Sequence, residues 1–230
     1  MWAFRIVALV AVPLLLLVVV EAILRLAGTG YPTAFFLPYK EEGQKLLIDN
    51  PQFTWRYFPQ EIARRSTSIR IDESKKPGTV RVFILGESAV MGDPAEEYGI
   101  CRVIDVVLEH DYPGTRFEVV NAGITAINSF VIRDIASDCA RQKPDLFITY
   151  IGNNEVLGPY GPGTVLTPIM KNRAAILFQT WLKRLKISQA IETIARSRDD
   201  KKDAPKWNGL ELFAKNHFSS RSPEMEMVRE

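Results

Sequence analysis

Cysteine and histidine are scarce in this sequence of 230 residues, which contains only two of each. Cys101 and Cys139 set no disulfide framework and no metal-ligand spacing. A zinc site that used His110 and His217 would need carboxylate ligands that no spacing indicates. We therefore expect neither a metal site nor a cofactor.

An excess of one charge sign is also lacking. The sequence has 29 Lys and Arg residues against 27 Asp and Glu residues, and the basic residues are interspersed with acidic ones. Nucleic-acid binding normally needs a basic cluster, so we expect no nucleic-acid partner. A glycine-rich phosphate loop of recognised spacing is missing too, which disfavours a flavodoxin-like binder of nucleotides or phosphate. The length suits one ordinary domain plus an anchor.

A long apolar run is present near the N-terminus, within residues 1–28. Every residue from 6 to 20 is apolar, and the run continues past one glutamate to residue 24. As a helix, residues 6–24 would span roughly 28 Å, close to the bilayer hydrocarbon core of about 30 Å. Pro13 is tolerated in such a helix, although it should kink it. We therefore expect an uncleaved single-pass membrane anchor.

The flanks of this run leave two alternatives open. One is a cleaved signal peptide, although residues 26–28 match a cleavage site poorly, and the other is a buried core helix. Glu21 and Arg25 lie four residues apart, so their side chains can pair at the headgroup level. Arg5 and Arg25 flank opposite ends of the run and determine its orientation only weakly. We expect a short cytoplasmic N-terminus and an exported domain.

Residues 29–78 show no regular pattern. The first part is rich in Gly, Pro and aromatic residues, and we interpret the segment as a juxtamembrane connector. Its first aromatic side chains could lie in the membrane-interface belt or pack beneath the domain that follows. They are Tyr31, Phe35, Phe36 and Tyr39. At the other end of the sequence, residues 199–230 are interpreted as a charged linker followed by an amphipathic segment.

Residues 79–198 alternate between apolar runs and amphipathic stretches. The apolar runs predict three buried strands that end in Gly or Asn loops, and helical spacing predicts the helices. The strands lie within 81–88, 117–123 and 145–155, and the helices over about 97–110, 132–142 and 172–197. Strands separated by helices indicate a parallel sheet with right-handed crossovers. The predicted fold class is α/β, a three-layer flavodoxin-like sheet preceded by one transmembrane helix.

Small or polar residues follow each predicted strand. In open parallel sheets, ligands bind outside the carboxyl ends of the strands, where the strand order reverses. With an order 2-1-3, Ser88 would lie between Gly123 and Asn154. A serine on a strand-to-helix turn exposes its hydroxyl for attack, and the Gly123 N–H and the Asn154 amide can donate to a developing oxyanion. The structural alternative is that Ser88 caps a helix, Gly123 makes a turn and Asn154 satisfies loop backbone.

These three blocks together resemble the SGNH (GDSL-type) hydrolases. They read Gly86-Glu87-Ser88, Asn121-Ala122-Gly123 and Gly152-Asn153-Asn154-Glu155. The family has Gly-Asp-Ser, a Gly, and Gly-x-Asn-Asp after its first three strands. The resemblance covers about residues 79–165 and implies an ester hydrolase with Ser88 as nucleophile and with Gly123 and Asn154 in the oxyanion hole. Glu replaces the family's Asp at Glu87 and Glu155, and we assign neither carboxylate a catalytic role.

The family's last block, Asp-x-x-His, is not found in this sequence. Its histidine is the general base for the serine, and its aspartate orients that histidine. His110 ends a helix that runs away from Ser88 and would lie roughly 20 Å from it, beyond the reach of proton transfer. His217 has Ala214 rather than Asp three residues before it. We therefore expect a chain truncated before this block, with an open apolar edge on strand 145–152 and little or no esterase activity.

The expected function is a membrane-anchored hydrolase of ester bonds, with acyl groups on lipids or envelope polysaccharides as substrates. The alternative is a non-catalytic binding or interaction module on the same fold. The two cysteines provide a test of the predicted topology. Right-handed crossovers on opposite faces of the sheet would separate Cys101 from Cys139, so we expect no disulfide between them.

Overall fold

The computed structural model describes residues 2–164 and 172–198. In chain order the elements are α1 (Trp2–Leu26), β1 (Phe36–Glu41), β2 (Gln44–Asp49), β3 (Arg70–Asp72), β4 (Thr79–Gly86), α2 (Ser88–Met91), α3 (Ile100–Asp111), β5 (Arg116–Gly123), α4 (Ser129–Ala140), β6 (Leu146–Tyr150), α5 (Arg173–Leu182) and α6 (Lys186–Arg198). The predicted segment 199–230, with His217, lies outside the described residues. The helical stretch predicted over 172–197 is divided into α5 and α6.

The chain forms two compact units, and the first contains residues 2–32 and 177–198 of the described ranges. Its helix α1 is long and apolar enough to cross a membrane, and none of the span Val7–Leu26 is buried. Pro13 lies inside this helix. The Arg25 Nε donates to a Glu21 carboxylate oxygen at 2.8 Å. The predicted apolar helix and its Glu21–Arg25 pair are therefore confirmed.

The second unit, residues 33–164 and 172–176, contains a parallel sheet of three strands. Its order is β5-β4-β6, which is the predicted order 2-1-3. The strands pair in parallel along their length, with Gly86 opposite Gly123 on one side and opposite Tyr150 on the other. Helix α3 connects β4 to β5, and α4 connects β5 to β6. The predicted β-α-β-α-β order is confirmed. It was predictable because long apolar runs and amphipathic helices have clearly different hydrophobic patterns in the sequence.

Alternate residues of β4 point to opposite faces of this sheet and belong to two separate apolar clusters. Phe83 and Leu85 pack in the larger cluster with Cys139 of α4. Val82 and Ile84 pack in the smaller cluster with Cys101 of α3. Both cysteines are buried and free. The prediction that the two thiols lie on opposite faces and form no disulfide is confirmed.

Strand β6 departs from the prediction of a buried strand. Leu146 and Tyr150 keep 50% and 52% of their surface exposed, and Phe147 is exposed too. Among the described residues β6 pairs only with β4, so its other edge is open. An apolar run indicates burial only where neighbours cover both faces, and β6 has a strand on one side alone. The expected open apolar edge is confirmed for the described part of the chain.

The predicted connector 29–78 is not irregular, and this expectation is wrong. Strands β1, β2 and β3 form an antiparallel sheet within it. Glu42 and Gly43, with φ of 48° and 84°, make the two-residue turn of the β1–β2 hairpin. Charged residues on the exposed faces of these short strands obscured the apolar alternation.

Two of the first four aromatic residues of this segment pack beneath the parallel sheet. Phe35 and Phe36 are buried in the same cluster as Phe83 of β4, and the ring centroids of Phe35 and Phe53 are 5.1 Å apart. Tyr39 is exposed. The packing alternative therefore holds for Phe35 and Phe36, because their rings supply the apolar cover of one face of the parallel sheet.

Candidate functional site

The carboxyl ends of the three parallel strands meet at one edge of the sheet. Gly86, Gly123 and Tyr150 share one level of the register there. Ser88 follows β4 after a single residue, begins α2 and is half-buried. Asn154 lies four residues beyond the end of β6 and is half-buried as well. The three predicted site residues therefore extend from neighbouring strand ends.

Gly123 is required for the close packing of α2 against β5. A Cβ atom on Gly123 would lie 2.5 Å from the Met91 backbone nitrogen and 2.9 Å from the Met91 Cα. No L-side chain fits in that space, so the backbone of the helix that begins at Ser88 rests directly on the strand. This contact links Ser88 and Gly123 through the backbone between them.

The Gly123 N–H has a hydrogen-bond partner within the chain. It donates to the Asn121 Oδ1 at 3.0 Å, while the Asn121 Nδ2 donates to the Met91 carbonyl at 3.2 Å. Asn121 therefore bridges β5 and α2 and occupies the donor that the sequence assigned to an oxyanion hole. For Gly123 to bind an oxyanion, the Asn121 side chain would have to release it.

Glu87 is the site residue whose role the sequence analysis missed. It is fully buried between β4 and Ser88, and its Oε1 accepts the N–H groups of Gly152 at 3.2 Å and Asn154 at 3.4 Å. The Oε2 is buried without a hydrogen-bond partner. Burial raises the pKa of Glu87, against the opposing effect of these N–H groups, and the charge of Glu155 raises it further. Glu87 thus joins the first block to the third.

Glu155 continues this connection from the third block to α4. Its Oε1 accepts the Ser129 N–H at 2.9 Å, and its Oε2 accepts the Ser129 hydroxyl at 2.7 Å. Ser129 is the first residue of α4, where backbone N–H groups lack partners within the helix and favour a negative charge. The Glu87 carboxylate therefore holds the start of the loop 152–155, and the Glu155 carboxylate holds its end. The sequence signal was a glutamate within the first block and another within the third.

The described residues place no histidine beside Ser88. His110 lies at the far end of α3, where its side chain is 85% exposed and contacts Asp111. Helix α3 has 12 residues and runs from the carboxyl edge of the sheet towards the start of β5, a length of about 18 Å. His110 is therefore beyond the reach of proton transfer to Ser88. In the described ranges no group of three or more His, Cys, Asp or Glu residues is arranged to hold a metal ion.

Comparison with protein-family models, with curated proteins and with solved structures gives no match to this chain.

Proposed function

We propose that this chain carries an SGNH-type site for ester bonds, with Ser88 as nucleophile. The observation that carries the proposal is the convergence of Ser88, Gly123 and Asn154 at three adjacent strand ends in a β5-β4-β6 sheet. The Glu87 hydrogen bonds to the loop 152–154 support it, because they connect the nucleophile turn to the Asn154 loop. The finer fold assignment, a three-layer flavodoxin-like sheet of the SGNH type, is part of this proposal.

In the proposed reaction, the Ser88 Oγ forms a bond to the acyl carbon, and its proton passes through a base to the leaving alcohol. The carbonyl oxygen gains charge and accepts hydrogen bonds from the Asn154 amide and from the Gly123 N–H once Asn121 has released it. Water then displaces the serine by the same steps in reverse order. Among the described residues no side chain is placed as the base, so we expect little turnover from this chain alone.

We also propose that α1 crosses a membrane and that the α/β unit lies on the exported side. The support is an apolar span of 20 residues, none of which is buried. Acyl groups on lipids or envelope polysaccharides are then the substrates within reach of the site. Protease accessibility in intact cells tests the orientation, and digestion of the α/β unit only after lysis would reject it.

Chemical rescue tests the proposed nucleophile. Because no side chain of the described residues is placed as the base, added imidazole should accelerate the reaction of a fluorophosphonate probe with Ser88, read by mass spectrometry of the modified peptide. Ser88→Ala should abolish this adduct. Ser68→Ala, at an exposed serine elsewhere, is the matched control and should leave labelling unchanged. Imidazole-independent labelling, or none at Ser88, would contradict the proposed mechanism.

A non-catalytic binding module remains a second candidate, and one observation favours it. The Gly123 N–H already donates to Asn121 within the chain, so one oxyanion donor is occupied in the absence of substrate. A module of this kind would bind an acylated ligand at the same edge without forming an adduct on Ser88. Equilibrium binding of a short acyl ester to the Ser88→Ala variant, with no labelling of the native chain in imidazole, would favour this candidate.

A further inference from the structure

The first unit contains a joint between the two helices α1 and α6. The Glu21 carboxylate of α1 accepts the N–H groups of Lys186 and Ile187, both at 3.0 Å. These are the first two residues of α6, so Glu21 satisfies donors that the helix itself leaves unpaired. Arg25 binds the same carboxylate at 2.8 Å. Glu21 is the one acidic residue of α1, and its hydrogen bonds to Lys186 and Ile187 fix where α6 begins.

A second set of contacts also holds α6 against the chain that leaves α1. The Gln189 Oε1 accepts the Tyr31 N–H at 2.9 Å, and its Nε2 donates to the Lys183 carbonyl at 3.0 Å. The Lys186 Nζ donates to the Tyr31 carbonyl at 2.8 Å. At Gly30 a Cβ atom would lie 2.2 Å from the Gln189 Oε1, so the chain leaving α1 packs directly against α6. These contacts therefore fix the start of α6 at the position of Glu21 along α1.

That level corresponds to the edge of the proposed membrane span. Glu21 lies five residues before Leu26, the last residue of the apolar helix, a rise of about 7.5 Å. The polar headgroup region occupies roughly 6 Å on each side of the hydrocarbon core. A glutamate bonded to an arginine and to a helix N-terminus suits this region, where charges can remain hydrated. Helix α6 therefore begins at or near the headgroups.

Large apolar side chains remain exposed on the helices around this joint. Ile191 and Ile194 of α6 are 62% and 54% exposed, and they lie on one stripe at helical spacing. Phe178 and Trp181 of α5 are 59% and 51% exposed, with their rings stacked at a centroid distance of 5.8 Å. Exposed apolar groups of this size on two successive helices indicate surfaces that meet another apolar phase.

The distance from the joint to this stripe is short. Ile191 and Ile194 follow Lys186 by about 8 and 12 Å along the helix. Trp181 precedes Lys186 by five residues, which can separate them by at most about 18 Å. The level of each isoleucine therefore differs from that of Lys186 by at most about 12 Å, whatever direction α6 takes. The exposed Arg184 lies in the α5–α6 turn, and its charge complements anionic lipid headgroups.

From this arrangement we infer that the exposed apolar side chains of α5 and α6, Phe178, Trp181, Ile191 and Ile194, are membrane-interface anchors that insert among anionic phospholipid headgroups. The inference rests on the proposed insertion of α1. Aromatic rings and isoleucine side chains gain from leaving water at that depth, while the polar side of α6 stays hydrated. The interaction would hold the start of α6 against the bilayer surface and restrict the rotation of α1 about its axis.

Spin-label depth measurements on the complete chain in vesicles of phosphatidylcholine and phosphatidylglycerol test this inference. Exposed positions are changed to cysteine one at a time, and the native Cys101 and Cys139 are buried. Labels at Trp181→Cys, Ile191→Cys and Ile194→Cys should show a several-fold higher ratio of oxygen to nickel-chelate accessibility than a label at Thr193→Cys. Thr193 is the matched control, because it is exposed on another side of the same helix.

A label at Val10→Cys, in the middle of α1, separates this inference from the one on which it rests. A lipid-embedded label at position 10 together with water-accessible labels at 181, 191 and 194 would overturn the interface anchor and keep the membrane span. A water-accessible label at position 10 would overturn both. Labels at 191 and 194 that are shielded from oxygen and nickel alike would indicate a protein partner, such as a second copy, and would also overturn the inference. Omitting phosphatidylglycerol should reduce the depth, and an unchanged depth would overturn the preference for anionic headgroups.

Discussion

At the residue scale, Glu87 combines full burial with hydrogen bonds to only one of its carboxylate oxygens. Burial raises its pKa above the ordinary value of 4.5. A carboxyl group of this kind binds more protons in the folded than in the unfolded state. The stability that it contributes is therefore present at low pH and is lost as the pH rises from about 4.5 through the raised pKa.

We predict that Glu87→Gln removes this pH dependence. The free energy of unfolding of the native chain should fall relative to that of the variant as the pH increases from acid to neutral, measured by urea unfolding of the α/β unit in detergent. Glu97→Gln, at an exposed position, is the control and should run parallel to the native chain. Parallel curves for Glu87→Gln would mean that Glu87 has no raised pKa in the folded state.

Gly123 provides a second prediction at this scale, because it leaves no room for a side chain. Gly123→Ala places a methyl group against the Met91 backbone, and overpacking of this kind costs about 1–3 kcal/mol of unfolding free energy. Gly114→Ala is the matched control, since a Cβ atom there meets nothing within 4 Å. Chemical denaturation should show a large loss for the first and none for the second. Equal losses would indicate a general effect of removing glycine.

The residues of the site were predictable to different degrees. Ser88 and Gly123 follow apolar runs that end abruptly, so strand periodicity alone places them at the carboxyl edge. The Asn121 hydrogen bond to Gly123 was not predictable, because a side-chain rotamer depends on neighbours brought together by the fold. The same holds for Glu87, whose partners lie 65 and 67 residues further along the chain.

At the element scale, the start of α4 depends on a carboxylate from another loop. Glu155 accepts both the N–H and the hydroxyl of Ser129. We predict that Glu155→Ala and Ser129→Ala each lower the unfolding free energy by about 1 kcal/mol, as loss of a helix cap does. The double variant should cost much less than the sum, because both changes remove one shared interaction. Additive losses in urea unfolding would show that the two side chains act independently.

Some elements have a clearer hydrophobic pattern in the sequence than others. Strands β4 and β5 are long and apolar, and α3 and α4 carry clear amphipathic spacing, so their existence and order were predictable. The antiparallel strands β1 and β2 were not, because the exposed Lys40 and Lys45 and the half-buried Glu41 interrupt the apolar alternation. The turn residues Glu42 and Gly43 were the available signal for this hairpin. Burial of β6 was overestimated because, among the described residues, β6 has a neighbouring strand on one side only.

At the scale of the α/β unit, the two faces of the parallel sheet are covered unequally. The cluster around Cys139 includes residues of α4, of β1 and β2 and of the segment between β2 and β3, whereas the cluster around Cys101 is small. Helix α3 also leaves Val103, Val106 and Val107 exposed. Segments with few buried apolar contacts open at a lower free-energy cost than the rest of a domain. The α3 face should therefore open first.

The two thiols can report this difference, because each is buried on one face. Burial raises the pKa of Cys101 to about 12, and it also raises the pKa of Cys139 well above its ordinary value, so neither forms much thiolate until its surroundings open. We predict that iodoacetamide alkylates Cys101 several-fold faster than Cys139 in the native chain, followed by mass spectrometry of the two peptides. Ser68→Cys, an exposed position, gives the rate of an accessible thiol. Equal rates at the two native cysteines would show instead that both faces open together, as one cooperative unit.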